Sequence, residues 1–204
     1  SPISENLGKL RLFCENDNVP LILRETESYL NTFLKIAKPN NILEIGTAYG
    51  YSACYFATIC EGAHVTTIER APHMYEHAVP NVKSMGFEDK IDINFGDANE
   101  ILDRLIDDNS PESRFDLIFI DAAKSHYREF FDRAEKLARP GASIVCDNML
   151  IHGYLTGSTV DPGHRHRTSV KRMKEFLEYL NGRKDLTISL LSCGDGLSIV
   201  KLDD

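Results

Sequence analysis

The sequence predicts an α/β fold with a mostly parallel sheet of seven strands, helices on its faces and an antiparallel hairpin at its C-terminal end. Strand-like and helix-like patterns alternate from Asn41 onward, which is typical of a parallel sheet covered by helices on both faces. The turn Cys193-Gly-Asp-Gly196 lies between two short apolar runs, a pattern that predicts a terminal hairpin. A plain dinucleotide-binding fold would not need that hairpin.

Two helices, at 3–17 and 24–37, are predicted ahead of the sheet. The second has Tyr29, Leu30, Phe33 and Leu34 at helical spacing and ends before a proline. The elements that follow are the strand 41–46, a helix from 52, the strand 64–69, a helix near 73–85, the strand 90–95, a helix near 98–107, the strand 115–121, a helix near 126–138, the strand 142–147, a basic helix near 166–181 and the hairpin strands 186–192 and 197–202. No linker divides the chain, so we expect a single domain over 1–204, in which 1–38 form a helical cover on a core of 39–204.

Composition sets limits on the functional class. No apolar run approaches the roughly 20 residues that span a bilayer, and no signal-peptide pattern is present, so no membrane association is expected. The five cysteines are scattered and never spaced as Cys-x-x-Cys, which favours free thiols in the cytoplasm. The net charge of −8 argues against a general nucleic-acid-binding surface.

Oxygen-bearing side chains follow two of the predicted strands. Asp121 ends the run from Phe115, and Asp147 and Asn148 end the run from Ala142. Because the carboxyl ends of parallel strands lie at one edge of a sheet, we expect these three side chains to converge, where they could bind a hard cation such as Mg²⁺. Lys124 follows Asp121 closely enough to reach the same site. This combination predicts a metal-assisted transfer reaction.

The first three strands end in features that suit a nucleotide-like ligand. A glycine turn, Gly46 to Gly50, leads from the first strand into a helix, where the backbone can approach a ligand closely. Glu69 ends the second strand, where a carboxylate can accept ribose hydroxyls. Asp97 follows the third strand and could meet an adenine edge. Each feature also has an ordinary explanation: a tight turn, a surface carboxylate and a helix cap.

The motifs that occur together are Glu44-Ile-Gly-Thr-Ala-Tyr-Gly-Tyr-Ser52, Thr67-Ile-Glu69-Arg, Gly96-Asp-Ala98, Ile120-Asp-Ala-Ala-Lys124, Asp147-Asn148 and Gly194-Asp-Gly-Leu197. In combination they resemble the cation-dependent O-methyltransferases, the family of the caffeoyl-CoA and catechol enzymes. The resemblance runs from about Val19 to the C-terminus. It implies a Rossmann-like, seven-stranded methyltransferase sheet with added N-terminal helices, and S-adenosylmethionine as cofactor.

The resemblance also implies roles for individual residues. The cofactor-binding residues would be Ile22, Glu44, Gly46, Ser52, Glu69, Asp97, Ala98 and Asp121. The metal ligands would be Asp121, Asp147 and Asn148, and the catalytic residues Lys124, as the base, and Asp121. A cytoplasmic homodimer is expected on the same ground, with the N-terminal helices contributing to association.

A basic patch suggests the methyl acceptor. Its members are His164, Arg165, His166, Arg167, Lys171, Arg172 and Lys174. Such clusters contact phosphates without reading sequence, although a solvated helix face is an equally ordinary explanation. Together with the segment 147–153, the basic helix resembles the bacterial tRNA 5-hydroxyuridine methyltransferases, so wobble-position tRNA is the expected acceptor and Arg165, Arg167, Lys171 and Arg172 its contacts. Leu177 departs from the Asn that many relatives have after the aromatic residue of this helix, and a small catechol or other phenol is the alternative acceptor.

Two other classes fit parts of the pattern. An NAD-dependent oxidoreductase could share the sheet and Glu69, but it would not need the three oxygen ligands or the hairpin. An RNA-binding scaffold without catalysis could share everything except turnover. Methyl transfer and cofactor preference separate these classes from a methyltransferase.

Overall fold

The structure, a computed structural model, describes residues 5–151, 153–157, 159 and 166–203. Its strands are β1 (Asn41–Ile45), β2 (His64–Glu69), β3 (Ile91–Phe95), β4 (Phe115–Ile120), β5 (Ala138–Cys146), β6 (Thr187–Leu191) and β7 (Leu197–Lys201). They form one sheet in the order β3-β2-β1-β4-β5-β7-β6. Strands β1 to β5 pair in parallel, and β7 pairs antiparallel with both β5 and β6. The predicted fold class, including the terminal hairpin, is therefore confirmed.

The helices are α1 (Glu5–Asn16), α2 (Arg24–Ala37), α3 (Tyr51–Ile59), α4 (Pro72–Ser84), α5 (Ala98–Asp108), α6 (Tyr127–Leu137) and α7 (Arg167–Gly182). A short 3-10 turn, Lys124–His126, leads into α6. Among the described residues, none of the helices combines the length and the apolar character needed to cross a bilayer. The five cysteines, all within the described ranges, are free thiols.

Strand β5 begins earlier than the sequence suggests, at Ala138 instead of residue 142. Ala138 pairs with Phe115 across the sheet, and the register shifts between Phe115 and Leu117. Arg139 adds an ion pair, because its Nη1 lies 2.8 Å from Oδ1 of Asp116 on β4. These contacts between strands keep the chain extended through a proline and a glycine, which from local sequence would end a strand.

Two apolar layers cover the faces of the sheet, and the parallel strands β1, β4 and β5 end at the same edge of it. The first layer packs α1, α2 and α3 around residues such as Leu7, Leu30 and Phe56. The second packs α5, α6 and α7 around residues such as Phe131 and Phe176. Leu177, the departure noted above, is partly buried against this second layer.

Candidate active site

The carboxyl ends of β1, β4 and β5 meet at a cavity of about 770 Å³. Main-chain hydrogen bonds of 3.0 Å join Asp121 to Ile45 and Asp147 to Ile120, so the residues that follow these strands lie side by side. Most of the predicted site residues line the cavity: Ile22, Gly46, Ser52, Glu69, Asp97, Ala98, Asp121, Lys124 and Asn148. Glu44 and Asp147 are fully buried behind this lining. The topology thus brings the two predicted halves of the site together.

Gly46 makes the crossing of two strand ends possible. Its φ is +108°, and a Cβ built at this position would lie only 2.0 Å from the main-chain oxygen of Asp121. A side chain would therefore push the ends of β1 and β4 apart. Gly50, with φ +85°, then provides the N-cap of α3. Main-chain packing alone therefore requires glycine at position 46, whether or not a ligand binds to the turn.

Glu44 is a buried carboxyl group whose hydrogen bonds are incomplete. Its Oε2 accepts a 2.5 Å hydrogen bond from Thr67, while Oε1 is buried without a partner among the described residues. The pKa of Glu44 is raised to about 7, chiefly by burial and also by the charge of Asp121, although the hydroxyls of Ser52 and Thr67 act in the opposite direction. A buried acceptor of this kind is suited to a ligand donor, such as an ammonium group, at the methionine end of a cofactor.

Glu69 holds the glycine turn to the next loop. Its Oε2 accepts a 2.8 Å hydrogen bond from the main-chain N–H of Ala48, and its Oε1 accepts one of 2.7 Å from Ala71. Ala48 has a positive φ of 47°, a conformation that needs such support. A role for Glu69 at the ribose remains a prediction, and any ribose contact would share the carboxylate with these two main-chain donors.

Asp97 caps α5. Its Oδ1 accepts main-chain hydrogen bonds from Asn99 at 2.9 Å and Glu100 at 3.4 Å. The prediction that Asp97 could serve as a helix cap is therefore confirmed. Asp97 and the buried Ala98 also line the cavity. Their contact with an adenine remains a prediction.

The predicted metal ligands lie together with one oxygen left unpaired. Oδ1 of Asp147 accepts a 2.7 Å hydrogen bond from the N–H of Asn148, whereas Oδ2 is buried without a partner among the described residues. Burial and the charge of Asp121 raise the pKa of Asp147 to about 7. Asn148 has a positive φ of 53°. A buried, unpaired carboxylate oxygen beside a second carboxylate and an amide fits a hard cation.

Lys124 lies beside this ligand set. Its Nζ is 3.1 Å from Oδ1 of Asp121, and it stands 5.4 Å from the centre of the Tyr127 ring. The described residues contain no group of three or more His, Cys, Asp or Glu side chains in metal-binding geometry, and the predicted set supplies two carboxylates and one amide instead. That composition favours Mg²⁺ or a similar ion over zinc.

The basic patch is only partly described. His164 and Arg165 lie outside the described residues. Arg167 and Lys171 line a second cavity of about 560 Å³, together with Tyr154, Thr159, Val170, Lys174, Glu175 and Glu178. Arg172 is exposed on α7 but is not part of this lining. Most residues that line this second cavity belong to α7. Helix α7 also packs against the 3-10 turn Lys124–His126, which contains the predicted base.

Several residues of the site were not anticipated. His126, Phe130, Asn99 and Asp195 also line the first cavity. The Gly-Asp-Gly turn supports the loop that carries the predicted metal ligands Asp147 and Asn148, because the next residue, Met149, donates a 2.9 Å main-chain hydrogen bond to Gly196. The Gly-Asp-Gly turn is one of the sequence motifs, so its presence was predictable. The sequence indicates only a hairpin at this turn, and it gives no sign of the hydrogen bond from Met149.

Comparison with known proteins decides the family. The family model described as O-methyltransferase matches residues 5–202. The chain belongs to this family. It is 31% identical over 176 residues to a caffeoyl-CoA O-methyltransferase from Populus kitakamiensis, covering 85% of this chain and 74% of the relative.

Solved structures agree with this assignment. A candidate caffeoyl-CoA O-methyltransferase from Staphylococcus aureus is 33% identical, with a TM-score of 0.87 over 98% of this chain and 93% of that one. The O-methyltransferase TomG from Streptomyces achromogenes, involved in tomaymycin synthesis and solved with S-adenosylmethionine, is 28% identical. Its TM-score is 0.82, over 99% of this chain and 91% of that one. The protein is thus an S-adenosylmethionine-dependent O-methyltransferase, and the predicted family and enzyme class are confirmed.

Proposed function

We propose that this O-methyltransferase uses a divalent cation, most simply Mg²⁺, to methylate a hydroxyl that has a second oxygen beside it. We further propose that its acceptor is 5-hydroxyuridine at the wobble position of tRNA, which would become 5-methoxyuridine. The observation that carries the metal proposal is the unpaired Oδ2 of Asp147, buried next to Asp121 and Asn148. A carboxylate left in this state is costly without a cation to compensate it.

Each protein group has a distinct proposed task. When bound, S-adenosylmethionine would supply a methyl group from its sulfonium and leave as S-adenosylhomocysteine. A cation would be held by Asp121, Asp147 and Asn148 and would lower the pKa of the acceptor hydroxyl. Lys124, in its neutral amine form, would take the proton from that hydroxyl at Nζ, which lies 3.1 Å from Asp121. The rest of the site orients the two substrates and excludes water, and positioning supplies much of the rate of such a transfer.

The cofactor would lie along the ends of β1, β2 and β3. Glu44 and Ser52 would bind its methionine end, Glu69 its ribose, and Asp97 with Ala98 its adenine. Support comes from the lining of the first cavity, in which four of these five residues take part while Glu44 lies directly behind it. Ile22, from the segment ahead of α2, covers the same cavity.

The second cavity supports a phosphate-bearing acceptor. Arg167, Lys171 and Lys174 line it, and all three side chains are exposed. Tyr154 stacks on His166 at its edge, with ring centres 4.5 Å apart. Cations beside an aromatic surface suit a nucleotide, because the cations contact phosphate and the ring can stack on a base. A tRNA acceptor would also place the enzyme in the cytoplasm.

A small phenolic acceptor is the second candidate. Two of the relatives named above are described as caffeoyl-CoA O-methyltransferases or candidates for that activity, at 31% and 33% identity. A catechol-like ring meets the requirement for two neighbouring oxygens equally well, and the phosphates of a coenzyme A ester would also suit the basic residues of the second cavity. Glu175 and Glu178 in the same lining reduce the net positive charge there.

The test is a substrate comparison with matched variants. Arg167→Ala/Lys171→Ala should cripple methylation of tRNA that contains 5-hydroxyuridine and spare methylation of a simple catechol, since the catechol needs only the metal site and Lys124. Each lost phosphate contact should also lower the salt dependence of tRNA binding by about one unit of slope. The control, Lys83→Ala/Arg104→Ala, removes the same charge from exposed positions on α4 and α5 and should change neither activity.

Four outcomes of this comparison, with caffeoyl-CoA as a third acceptor, lead to different conclusions. Selective loss with tRNA supports the proposal, whereas undiminished tRNA methylation removes it in favour of a phenolic acceptor. Selective loss with caffeoyl-CoA and not with tRNA identifies a coenzyme A ester. Equal loss on all acceptors assigns the two basic residues a structural role.

A further inference from the structure

Arg11 is a buried arginine in the N-terminal helix α1, remote in sequence from the motifs of the site. Its residue surface is only 5% exposed. Nε donates a 2.7 Å hydrogen bond to Glu15, Nη1 donates to Oε2 of Glu27, and Nη2 donates a 3.2 Å hydrogen bond to the main-chain oxygen of Ile22. The guanidinium therefore joins α1 and α2 to the segment 19–23 that lies between them.

The segment 19–23 is the part of the N-terminal cover that contacts the cofactor cavity. Pro20, Leu21, Ile22 and Leu23 all line that cavity, and Ile22 is buried. This segment lies outside the helices and strands, and its main chain is tied at its two ends, where Val19 donates to Cys14 at 3.0 Å and Leu23 accepts from Glu27 at 2.8 Å. Its conformation must therefore be held by contacts from outside the segment, and the bond from Arg11 to the carbonyl of Ile22 is one of them.

Glu27 extends the same network to the cofactor turn. Its Oε2 also accepts a 3.1 Å hydrogen bond from the hydroxyl of Tyr51, and its main-chain oxygen accepts one of 2.7 Å from Tyr55. Tyr51 is the first residue of α3 and directly follows Gly50 of the glycine turn. Arg11 lies over the Tyr51 ring, 5.2 Å from its centre.

A second contact joins the end of α1 to the same turn. The hydroxyl of Tyr49 donates to Asp17, just beyond α1, and the Tyr49 ring stacks on Phe13 with centres 5.9 Å apart. The residues on both sides of Gly50 are thus bound to the N-terminal cover. Movement of the cover would be transmitted to the turn at which the cofactor binds.

Stability alone does not explain a buried ion pair at this position. Desolvation makes such pairs weak contributors to folding, and an apolar pair of similar volume often serves as well or better. What an apolar pair cannot do is hold a carbonyl oxygen and a carboxylate in one plane, as the guanidinium fork does. The geometry therefore suggests a role in orientation.

We propose that Arg11 is a positioning residue for the cofactor: it sets the segment 19–23 over the cavity and couples it, through Glu27 and Tyr51, to the start of α3. This inference rests on the cofactor placement proposed above. Loss of Arg11 weakens cofactor binding through a loosened cover, even in a variant whose folding stability is unchanged. The consequence is measurable without metal, acceptor or turnover.

The decisive variant is Arg11→Met/Glu27→Gln, which removes both buried charges and keeps an amide oxygen to accept the hydrogen bond from Tyr51. We expect its melting temperature to stay close to that of the unmodified enzyme. Its Kd for S-adenosylhomocysteine, measured by calorimetry, should rise about tenfold, and amide hydrogen exchange at Leu21, Ile22 and Leu23 should accelerate by a similar factor in the cofactor-free protein. The control, Arg133→Met/Asp103→Leu, removes a 2.8 Å pair between α6 and α5 and should leave both readouts unchanged.

Arg11→Lys provides an independent test should the double variant fold poorly. A lysine keeps the charge and can reach Glu27, but a single ammonium group cannot also hold the carbonyl of Ile22 in the same plane. A raised Kd and faster exchange at 21–23, at an unchanged melting temperature, support the proposal. Unmodified cofactor affinity in a folded Arg11→Lys or double variant overturns it. If the unmodified enzyme itself fails to bind S-adenosylhomocysteine, it is the cofactor placement that is wrong.

Discussion

The hydroxyl of Tyr127 donates a 2.7 Å hydrogen bond to the main-chain oxygen of Asp147. Tyr127 is the first residue of α6, directly after the turn that holds Lys124, and its side chain is fully buried. One side chain thus supports the loop that carries the proposed metal ligands Asp147 and Asn148, and it also packs beside the proposed base. The proposed metal ligands and the proposed base are therefore both held by Tyr127 at the start of α6. A fixed distance between them favours accurate positioning of the reacting groups.

Tyr127→Phe should therefore damage the metal site with little change in packing. The variant leaves the buried carbonyl of Asp147 without a partner, at a cost of about 1–3 kcal/mol. We expect weaker Mn²⁺ binding and a lower kcat, with the KM for S-adenosylmethionine unchanged. Tyr55→Phe, which removes a buried 2.7 Å bond to another main-chain carbonyl, is the control and should leave Mn²⁺ affinity intact. Unchanged Mn²⁺ affinity in Tyr127→Phe would show that the loop at Asp147 and Asn148 keeps its conformation without the hydrogen bond from Tyr127.

Asp147→Asn should separate stability from activity. In the metal-free protein the Asp147 carboxyl has its pKa raised to about 7 by burial, so above that pH a desolvated charge is present and destabilises the fold. The neutral amide removes this penalty, and the variant should melt at a higher temperature than the unmodified protein in EDTA at about pH 8. Methylation should be lost in the variant, and in the unmodified enzyme with EDTA. Full activity in EDTA with no bound metal would refute the metal proposal.

Glu44 should make the stability of the cofactor-free protein depend on pH. Its pKa in the folded protein is raised from 4.5 to about 7. A raised pKa means that its contribution is fully present below about pH 4.5 and is lost as the pH rises through 7. Glu44→Gln should therefore gain stability relative to the unmodified protein between these values, by on the order of 2–4 kcal/mol.

Urea unfolding at several pH values measures this difference. Asp147 titrates in the same window and is retained in both proteins, so its effect cancels in the comparison. A difference that stays constant with pH would mean that Glu44 is charged throughout the window.

The N-terminal helices give a prediction about assembly. Leu30 and Leu34 of the predicted stripe are buried within the chain, but Tyr29 stacks on Phe33 near the surface, and Ile36 on the same helix is 77% exposed. We expect a homodimer that buries this part of α2, with a mass near twice 23.0 kDa by light scattering. Ile36→Glu should shift the mass toward one chain, whereas Val79→Glu on α4 should not. If light scattering gives the mass of one chain for the unmodified protein, the prediction of a homodimer is wrong.

The sequence anticipated the parts of the site that depend on main-chain topology. Gly46, Asp121 and Asp147 were predictable because strand ends and glycine turns leave local signals, and parallel strands bring those signals to one edge. The roles of Arg11 and Tyr127 were not predictable. The proposed role of each depends on a side-chain hydrogen bond to a distant main-chain oxygen, that of Ile22 for Arg11 and that of Asp147 for Tyr127, and no local pattern marks such a bond.

Glu69→Gln tests the proposed ribose contact against the structural role of the same carboxylate. Both oxygens of Glu69 already accept main-chain hydrogen bonds, from Ala48 and Ala71. The amide keeps one acceptor but loses the charge that strengthens a bond to a ribose hydroxyl, which is worth about 1.5–3 kcal/mol. Calorimetry should show a weaker affinity for S-adenosylhomocysteine by a corresponding factor.

A ligand variant separates the two roles of Glu69. With an S-adenosylhomocysteine analogue that lacks both ribose hydroxyls, the penalty of Glu69→Gln should largely disappear, because the contact it weakens is already absent. The two enzymes and the two ligands together form a double-mutant cycle, which isolates the interaction free energy between the Glu69 side chain and the ribose hydroxyls. If the penalty is the same for both ligands, Glu69 acts only by holding Ala48 and the glycine turn in place, and the ribose must be bound by other residues of the cavity.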